Sequence, residues 1–306
     1  DQFGRSVAIS GDTIVVGAPD EKSCAIGVNG SSDATCHKAG AAYVFERENT
    51  SWKLKAYLKA HNTDASDRFG SSVDVRDNLI AVGATGEASC GTSDWSDNLC
   101  PESGATYLFQ RLDGVWSYKE TLKRSNPQPQ DLFGSAIVLR EKELLVGAYG
   151  ESGCDTNSDT DSYTCDKAGA VFVFEASGNT WSQNQRIKAP LPTANHQFGT
   201  SFSLEDDFLL IGAINDASCS NNINPTQNID DENCTSAGAA YLYQRTEGLW
   251  EPMMYLKANP SSTEAFFGLD VIIDNERLFI SAPLELSCEE SNPDVCLSTG
   301  GLYIYE

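Results

Sequence analysis

Hydrophobic and polar residues alternate through FGRSVAIS, residues 3–10, and then give way after Gly11-Asp12 to the continuous apolar run TIVVGA. Alternation marks a strand with one buried face, and a short unbroken apolar run marks a strand covered on both faces. The Gly-Asp pair and its counterparts Asp77-Asn78 and Asp206-Asp207 suit two-residue hairpins, because Gly, Asn and Asp tolerate positive φ. The same succession recurs along the chain. LIAVGA, ELLVGA and FLLIGA repeat the apolar run. AAYVFER, ATYLFQR, AVFVFEA, AAYLYQR and GLYIYE predict a third strand, and WKLKAYLKA, WSYKETLKR, WSQNQRIKA and WEPMMYLKA a fourth. No segment keeps a 3.6-residue period, so little helix is expected.

The recurrence is strict. Phe-Gly stands at Phe3, Phe69, Phe133, Phe198 and Phe267, and 14 residues later comes a small residue followed by Ala: Gly17, Gly83, Gly147, Gly212 and Ser281. Seven residues on is a cysteine, and four after a second cysteine is a glycine: Gly40, Gly104, Gly169, Gly238 and Gly300. Twelve further stand Trp52, Trp116, Trp181 and Trp250, and 17 later the next Phe. Repeat lengths are 66, 64, 65 and 69; removing the cysteine separations of 12, 10, 11 and 15 leaves 54 every time. All length variation therefore lies between the cysteines. Fixed strands and turns, with one loop free to vary, are what such a register requires.

In the fourth strand the Trp and the residue six later (Leu58, Leu122, Ile187, Leu256) share parity and are expected on one face. Lys59, Lys123, Lys188 and Lys257 follow them, in the place where an outer strand carries a solvated lysine against edge-to-edge pairing. A four-stranded repeat of about 65 residues is the signature of β-propeller blades. The expected fold is a single all-β domain over 1–306, with repeats 1–66, 67–130, 131–195, 196–264 and 265–306. Five blades are expected. The fifth repeat has no counterpart of the Trp strand, so its blade is three-stranded, completed from elsewhere, or part of a longer propeller.

Composition narrows the function. Lys plus Arg is 21 against Asp plus Glu 44, a formal charge of −23, which repels nucleic acid and anionic membrane surfaces. No apolar run approaches a membrane span, so neither nucleic acid nor direct membrane insertion is expected. The ten cysteines contain no CxxC, and His37, His61 and His196 stand apart from one another. Zinc is thereby disfavoured. The expected bridges are Cys24–Cys36, Cys90–Cys100, Cys154–Cys165, Cys219–Cys234 and Cys288–Cys296, one within each blade, formed in an oxidising compartment. The location expected is extracellular, secreted or at the cell surface.

FGRSVAISGDTIVVGAP followed by GAAYVFER resembles the FG-GAP repeat, the blade unit of integrin α-subunit propellers and of secreted adhesion proteins. The resemblance runs through all five repeats and implies a non-catalytic interaction fold. Integrin-type blades often carry a calcium loop between their first two strands. Here that hairpin has a two-residue turn in each repeat, so that site does not transfer. Gly-Ala-Pro is intact only at Gly17-Ala18-Pro19.

Other chemistry is sparse. DTNSDTD places Asp155, Asn157, Asp159 and Asp161 at alternating positions, a spacing by which a curled loop directs oxygens at Ca²⁺; Asp230, Asp231 and Glu232 form a shorter acidic cluster. Asn29, Asn49 and Asn233 head N-glycosylation sequons usable in a eukaryotic source. No GxSxG, HExxH or P-loop occurs. Asp74 and Asp270, on first strands, are the acids a glycosidase would draw on. The function expected is a non-enzymatic adhesion module that binds an extracellular protein or glycan through the cysteine-bounded loops. The alternatives are a subunit of an extracellular filament or surface layer, pairing with copies of itself by strand complementation, and a carbohydrate-active enzyme.

Overall fold

The structure is a computed structural model that describes the chain apart from residues 33, 92–96, 156–164, 221–222, 225–231 and 290–291; for residues 287–289 and 292–297 it describes the backbone. Among the described residues there is no helix. Each repeat forms one antiparallel sheet in sequence order. The first contains β1 (Ser6–Ser10), β2 (Thr13–Ala18), β3 (Ala41–Glu48) and β4 (Ser51–Leu58). The second contains β5 (Phe69–Arg76), β6 (Leu79–Ala84), β7 (Ala105–Leu112) and β8 (Val115–Leu122). The third contains β9 (Ile137–Leu139), β10 (Glu143–Ala148), β11 (Ala170–Ser177) and β12 (Thr180–Ile187). The fourth contains β13 (Phe198–Glu205), β14 (Phe208–Ala213), β15 (Ala239–Thr246) and β16 (Leu249–Leu256).

The fifth sheet has three strands, β17 (Val271–Asp274), β18 (Arg277–Ala282) and β21 (Gly301–Tyr305). Between β18 and β21 the cysteine-bounded loop forms a separate hairpin of β19 (Leu286–Glu289) and β20 (Asn292–Ser298). Chain contacts define two compact units, one of Asp1–Glu151 with Phe172–Gln185 and one of Ser152–Val171 with Arg186–Glu306.

Within each unit the Phe-Gly and Gly-Ala dipeptides make the junctions between consecutive sheets. Gly70 has φ +90°, a conformation that disfavours any side chain, and its carbonyl accepts the Ser6 hydroxyl at 2.9 Å. The junction repeats one sheet later, where Ser72 donates to Gly134 O at 2.7 Å, and in the second unit, where Ser201 donates to Gly268 O at 2.8 Å. A Cβ on Gly83 would stand 2.0 Å from the Gly134 carbonyl oxygen. That distance excludes any side chain. The glycine after each second cysteine forms a parallel bridge to the next phenylalanine, as in Gly40↔Phe69 and Gly238↔Phe267. In this way the loop is tied to the following repeat.

The outer strands correct one expectation. Trp52 pairs with Arg47 and Leu58 with Ala42, with a register shift between them; β8 and β16 carry the same shift. A bulge inserts one extra residue, so Trp and Leu face opposite sides of the sheet rather than one. Leu58 joins the core between the first two sheets from one side, with Val15, Val44 and Ala56. Trp116 enters that core from the other, with Phe69, Val75, Ile80 and Phe109. The Trp116 indole N–H donates to Glu46 Oε1 at 2.9 Å, beside Arg111 at 2.7 Å. Two successive outer strands thereby grip the same core from opposite sides.

The first sheet presents the same gripping residues largely exposed. Val7, Ile9 and Trp52 are 66%, 65% and 39% exposed, whereas their counterparts Val73, Val75 and Trp116 are 7%, 4% and 4%. In the second unit, Leu302 and Ile304 of β21 are exposed, while Ala240 and Leu242, their counterparts in β15, are buried. Truncating Trp116 to Ala should therefore cost about 3–5 kcal/mol. Trp52→Ala should cost about 1 kcal/mol or less, for the same chemical change at a largely open position. Denaturant unfolding of both variants measures the difference, and equal losses would contradict this packing.

Candidate functional site

The cysteine-bounded loops all spring from one construction. At the end of the second strand the chain turns back, Glu21 N–H donating to Ala18 O at 3.1 Å, and the same turn recurs at Glu87, Glu151, Asp216 and Glu285. Each turn presents an acid three residues before a cysteine. This repeated Glu/Asp-x-Ser/Gly-Cys pattern is visible in the sequence but is not read there as a site. It meets the recurring lysine. Lys59 Nζ donates to Glu21 Oε2 at 3.0 Å, Ser23 O at 2.7 Å and Gly40 O at 2.6 Å. Lys123 is bonded to Glu87 and to Ser103 Oγ, and Lys257 lies 3.2 Å from Asp216. Lys188 is buried as well.

The lysines are thus not solvated edge guards. They lie just past the outer strands and turn into the loop necks, where an acid and backbone carbonyls replace water. Edge protection falls in part to the loops. Asn29 N–H donates to Tyr57 O at 2.7 Å and its Oδ1 accepts the Tyr57 N–H at 2.9 Å. Asn224 makes the same pair of bonds with Tyr255, both at 2.9 Å. Each asparagine extends the sheet by one residue along its outer edge.

Electrostatics follows from burial. Burial pulls Lys59, Lys123 and Lys257 below the usual lysine range, and the paired carboxylates oppose it. For Glu21 burial acts against the charge, yet Lys59, the Ser23 amide and the Tyr57 hydroxyl hold its carboxyl below the usual range. A carboxylate whose lone pairs are engaged in this way is an anchor, not a free base. At Asp67 burial dominates and raises the pKa to about 8; Glu87 and Asp64 push the same way, against the Asp64 N–H and Lys59. Arg124 is buried with two acids, 3.1 Å from Asp131 and 3.6 Å from Glu151. Its guanidinium lies over Phe172.

Four expected disulfides are formed, Cys24–Cys36, Cys90–Cys100, Cys154–Cys165 and Cys219–Cys234. Cys288 and Cys296 are opposite one another along β19 and β20; their side chains lie outside those described. Of the calcium candidates Asp155 is half-buried, and Asn157, Asp159 and Asp161 lie outside the described residues, as do Asp230 and Asp231. No group of acids, histidines or cysteines among the described residues is arranged to hold a metal. Asn29, Asn49 and Asn233 are exposed. Asp74 is not a surface acid: its carboxylate accepts the Val75 and Leu139 N–H groups at 2.8 and 2.7 Å, joining β5 to β9. Asp270 is exposed.

Histidines differ in setting. His37 is exposed, and His61 packs edge-on against Tyr107 and Tyr118. His196 is buried where the second and third repeats have Asp67 and Asp131. Its ring nitrogens lie 3.6 Å from Asp216 and 3.4 Å from Glu232.

The profile of the FG-GAP repeat matches residues 1–45, 52–109 and 181–243, more than half of the chain. The protein belongs to the FG-GAP repeat family. Comparison with curated protein sequences returns no match. Among solved structures, the chain is similar to a 6-phosphogluconolactonase candidate from Bacteroides uniformis, with a TM-score of 0.51 and 9% identity over 98% of this chain and 70% of that one. At that identity the likeness concerns the fold alone.

Two outcomes test the necks. Lys123→Met, which strands the Glu87 carboxylate in a site where both side chains are buried, should destabilise by about 3–5 kcal/mol, and Lys123→Met with Glu87→Met should recover much of that loss. Full loss in the double variant would show that packing, not charge, is at stake. Asp67 binds its proton more tightly folded than unfolded, so its stabilising contribution is complete below the ordinary value of 3.8 and is lost as pH rises through about 8. Asp67→Asn keeps an acceptor for Asp64 N–H. Its melting temperature should fall less than the wild type's between about pH 4 and pH 9; parallel curves would refute the assignment.

Proposed function

We propose that the repeats are blades of one β-propeller domain, five in this chain, which acts as a secreted, non-enzymatic module binding an extracellular protein or glycan through the cysteine-bounded loops. The observation that carries this reading is the shared neck beneath loops of unequal length in the first, second and fourth repeats. A lysine–carboxylate bond and a disulfide hold both ends of a segment whose interior differs from repeat to repeat. Rigid frames under variable loops are how recognition surfaces are commonly built. The propeller arrangement is supported by the family and by the packing of first strands on one another within each unit, β1 on β5 on β9 and β13 on β17. Secretion is supported by the density of disulfides. At 9% identity the similarity to a lactonase candidate concerns architecture, since one fold hosts many functions.

A second reading is self-assembly into a filament or surface layer. The exposed apolar residues Val7, Ile9 and Trp52 of the first sheet favour it, because exposed side chains of that size mark association surfaces.

Exchanging the segment between Cys24 and Cys36 for that between Cys90 and Cys100 separates these readings. On the recognition reading, melting temperature stays within about 5 °C, while binding on a glycan and extracellular-protein array changes. An unchanged binding profile would refute recognition by this loop. Light scattering over a concentration series should give one constant mass. Growth of mass that Val7→Asp abolishes would establish the filament instead.

A further inference from the structure

The first unit holds a cavity of about 590 Å³ at the ends of its second strands, lined by Gln2, Arg5, Pro19, Asp20, Lys38, Arg68, Ser71, Thr85, Ser135 and Tyr149. Its composition runs against that of the chain. In a protein of net charge −23, three cations converge on one opening that contributes a single carboxylate. Several basic side chains elsewhere are matched with acids: Arg47 with Asp12, Lys59 with Glu21, Arg111 with Glu46, Lys123 with Glu87 and Arg124 with Asp131. Arg5, Lys38 and Arg68 make no ion pair among the described residues, not even with Asp20. Unpaired like charges held close together repel, and an anion between them relieves that repulsion.

The walls point beyond a bare ion. Ser71 and Thr85 hydroxyls lie 3.1 Å apart. The Ser135 hydroxyl is shielded from solvent without a hydrogen-bond partner, which is costly unless a ligand supplies one. Burial raises the Tyr149 phenol, and the charges on Arg68 and Arg5 pull it back, with Glu102 opposing; both guanidiniums therefore act on the same wall. Asp20 would repel a simple oxyanion but accepts hydroxyl groups well. Pro19 and Tyr149 supply apolar sides. The backbone holds the cations in place, Arg5 N–H bonding Gln2 O at 3.1 Å and Arg68 N–H bonding Lys38 O at 2.9 Å.

We infer that this cavity binds a small acidic saccharide, with its sulfate or carboxylate among Arg5, Lys38 and Arg68 and its hydroxyls on Ser71, Thr85, Ser135 and Asp20. The size suits a small molecule rather than a chain segment. This site is distinct from the loop tips, and it stands or falls independently of recognition by them.

Calorimetric titration of the 306-residue chain tests it with three probes: a sulfated disaccharide, the same disaccharide without sulfate, and inorganic sulfate. The sulfated disaccharide should bind saturably and weaken as salt is raised. The neutral sugar and inorganic sulfate should each bind at least about tenfold more weakly. Arg5→Gln with Arg68→Gln should lower affinity by about tenfold or more, since each removes a charge-assisted bond. Lys53→Gln, a loss of positive charge on exposed β4 outside the cavity, should leave it unchanged. Circular dichroism melting checks that the double variant is folded; neither guanidinium makes an internal bond among the described residues. Three results would each overturn the assignment: no heat with the sulfated disaccharide, undiminished affinity in the folded double variant, or inorganic sulfate binding as tightly as the disaccharide.

Discussion

The buried bond between a lysine and a carboxylate is the interaction on which the first, second and fourth repeats turn. It brings together the end of the second strand, the exit of the fourth and both sides of a polar loop. These parts are too short and too polar to be held by apolar packing. Taking two charges out of water is expensive. The cost is met locally because Lys59 also satisfies two carbonyls and Glu21 also receives an amide and a hydroxyl. With the neck secured, the disulfide restricts what remains. The interior of the loop is then free to change length without disturbing the sheet.

The second constraint is the distance between consecutive sheets. Gly83 and its counterparts permit backbone to approach backbone, and the Phe-Gly turn then places a carbonyl where the preceding sheet's serine donates to it. A bulge in the outer strand turns Trp and Leu to opposite faces, so Leu58 and the next repeat's Trp116 enter one core from its two sides. Together these contacts make the junction a fixed unit repeated along the chain. The constant 54-residue frame follows from it, because one added residue anywhere outside the loop would invert a strand's faces.

Charge is distributed in keeping with this construction. Basic side chains are few, and four in the first unit hold necks or hairpins: Lys59 and Lys123 the loops, Arg47 and Arg111 the turns between first and second strands. The acidic excess is left to the surface. Against that background a cavity with three unmatched cations is a feature of the tertiary arrangement. Its residues come from the Phe-Gly and Gly-Ala regions of three different repeats, and no stretch of sequence contains the cluster.

What the sequence alone determined was the all-β class, the four-strand succession of the first four repeats, the pairing of the cysteines now seen bridged and the family, because all of these rest on spacing along one chain. The invariant acid before each first cysteine was legible too, but its meaning was not, since its partner lies 36 to 41 residues away. Only the folded arrangement decided that the recurring lysines are buried, that Trp and Leu point apart, and that Asp74 joins two strands. Each of these depends on a bulge, a turn or a neighbouring repeat. Such features change which groups face water without leaving a period in the sequence.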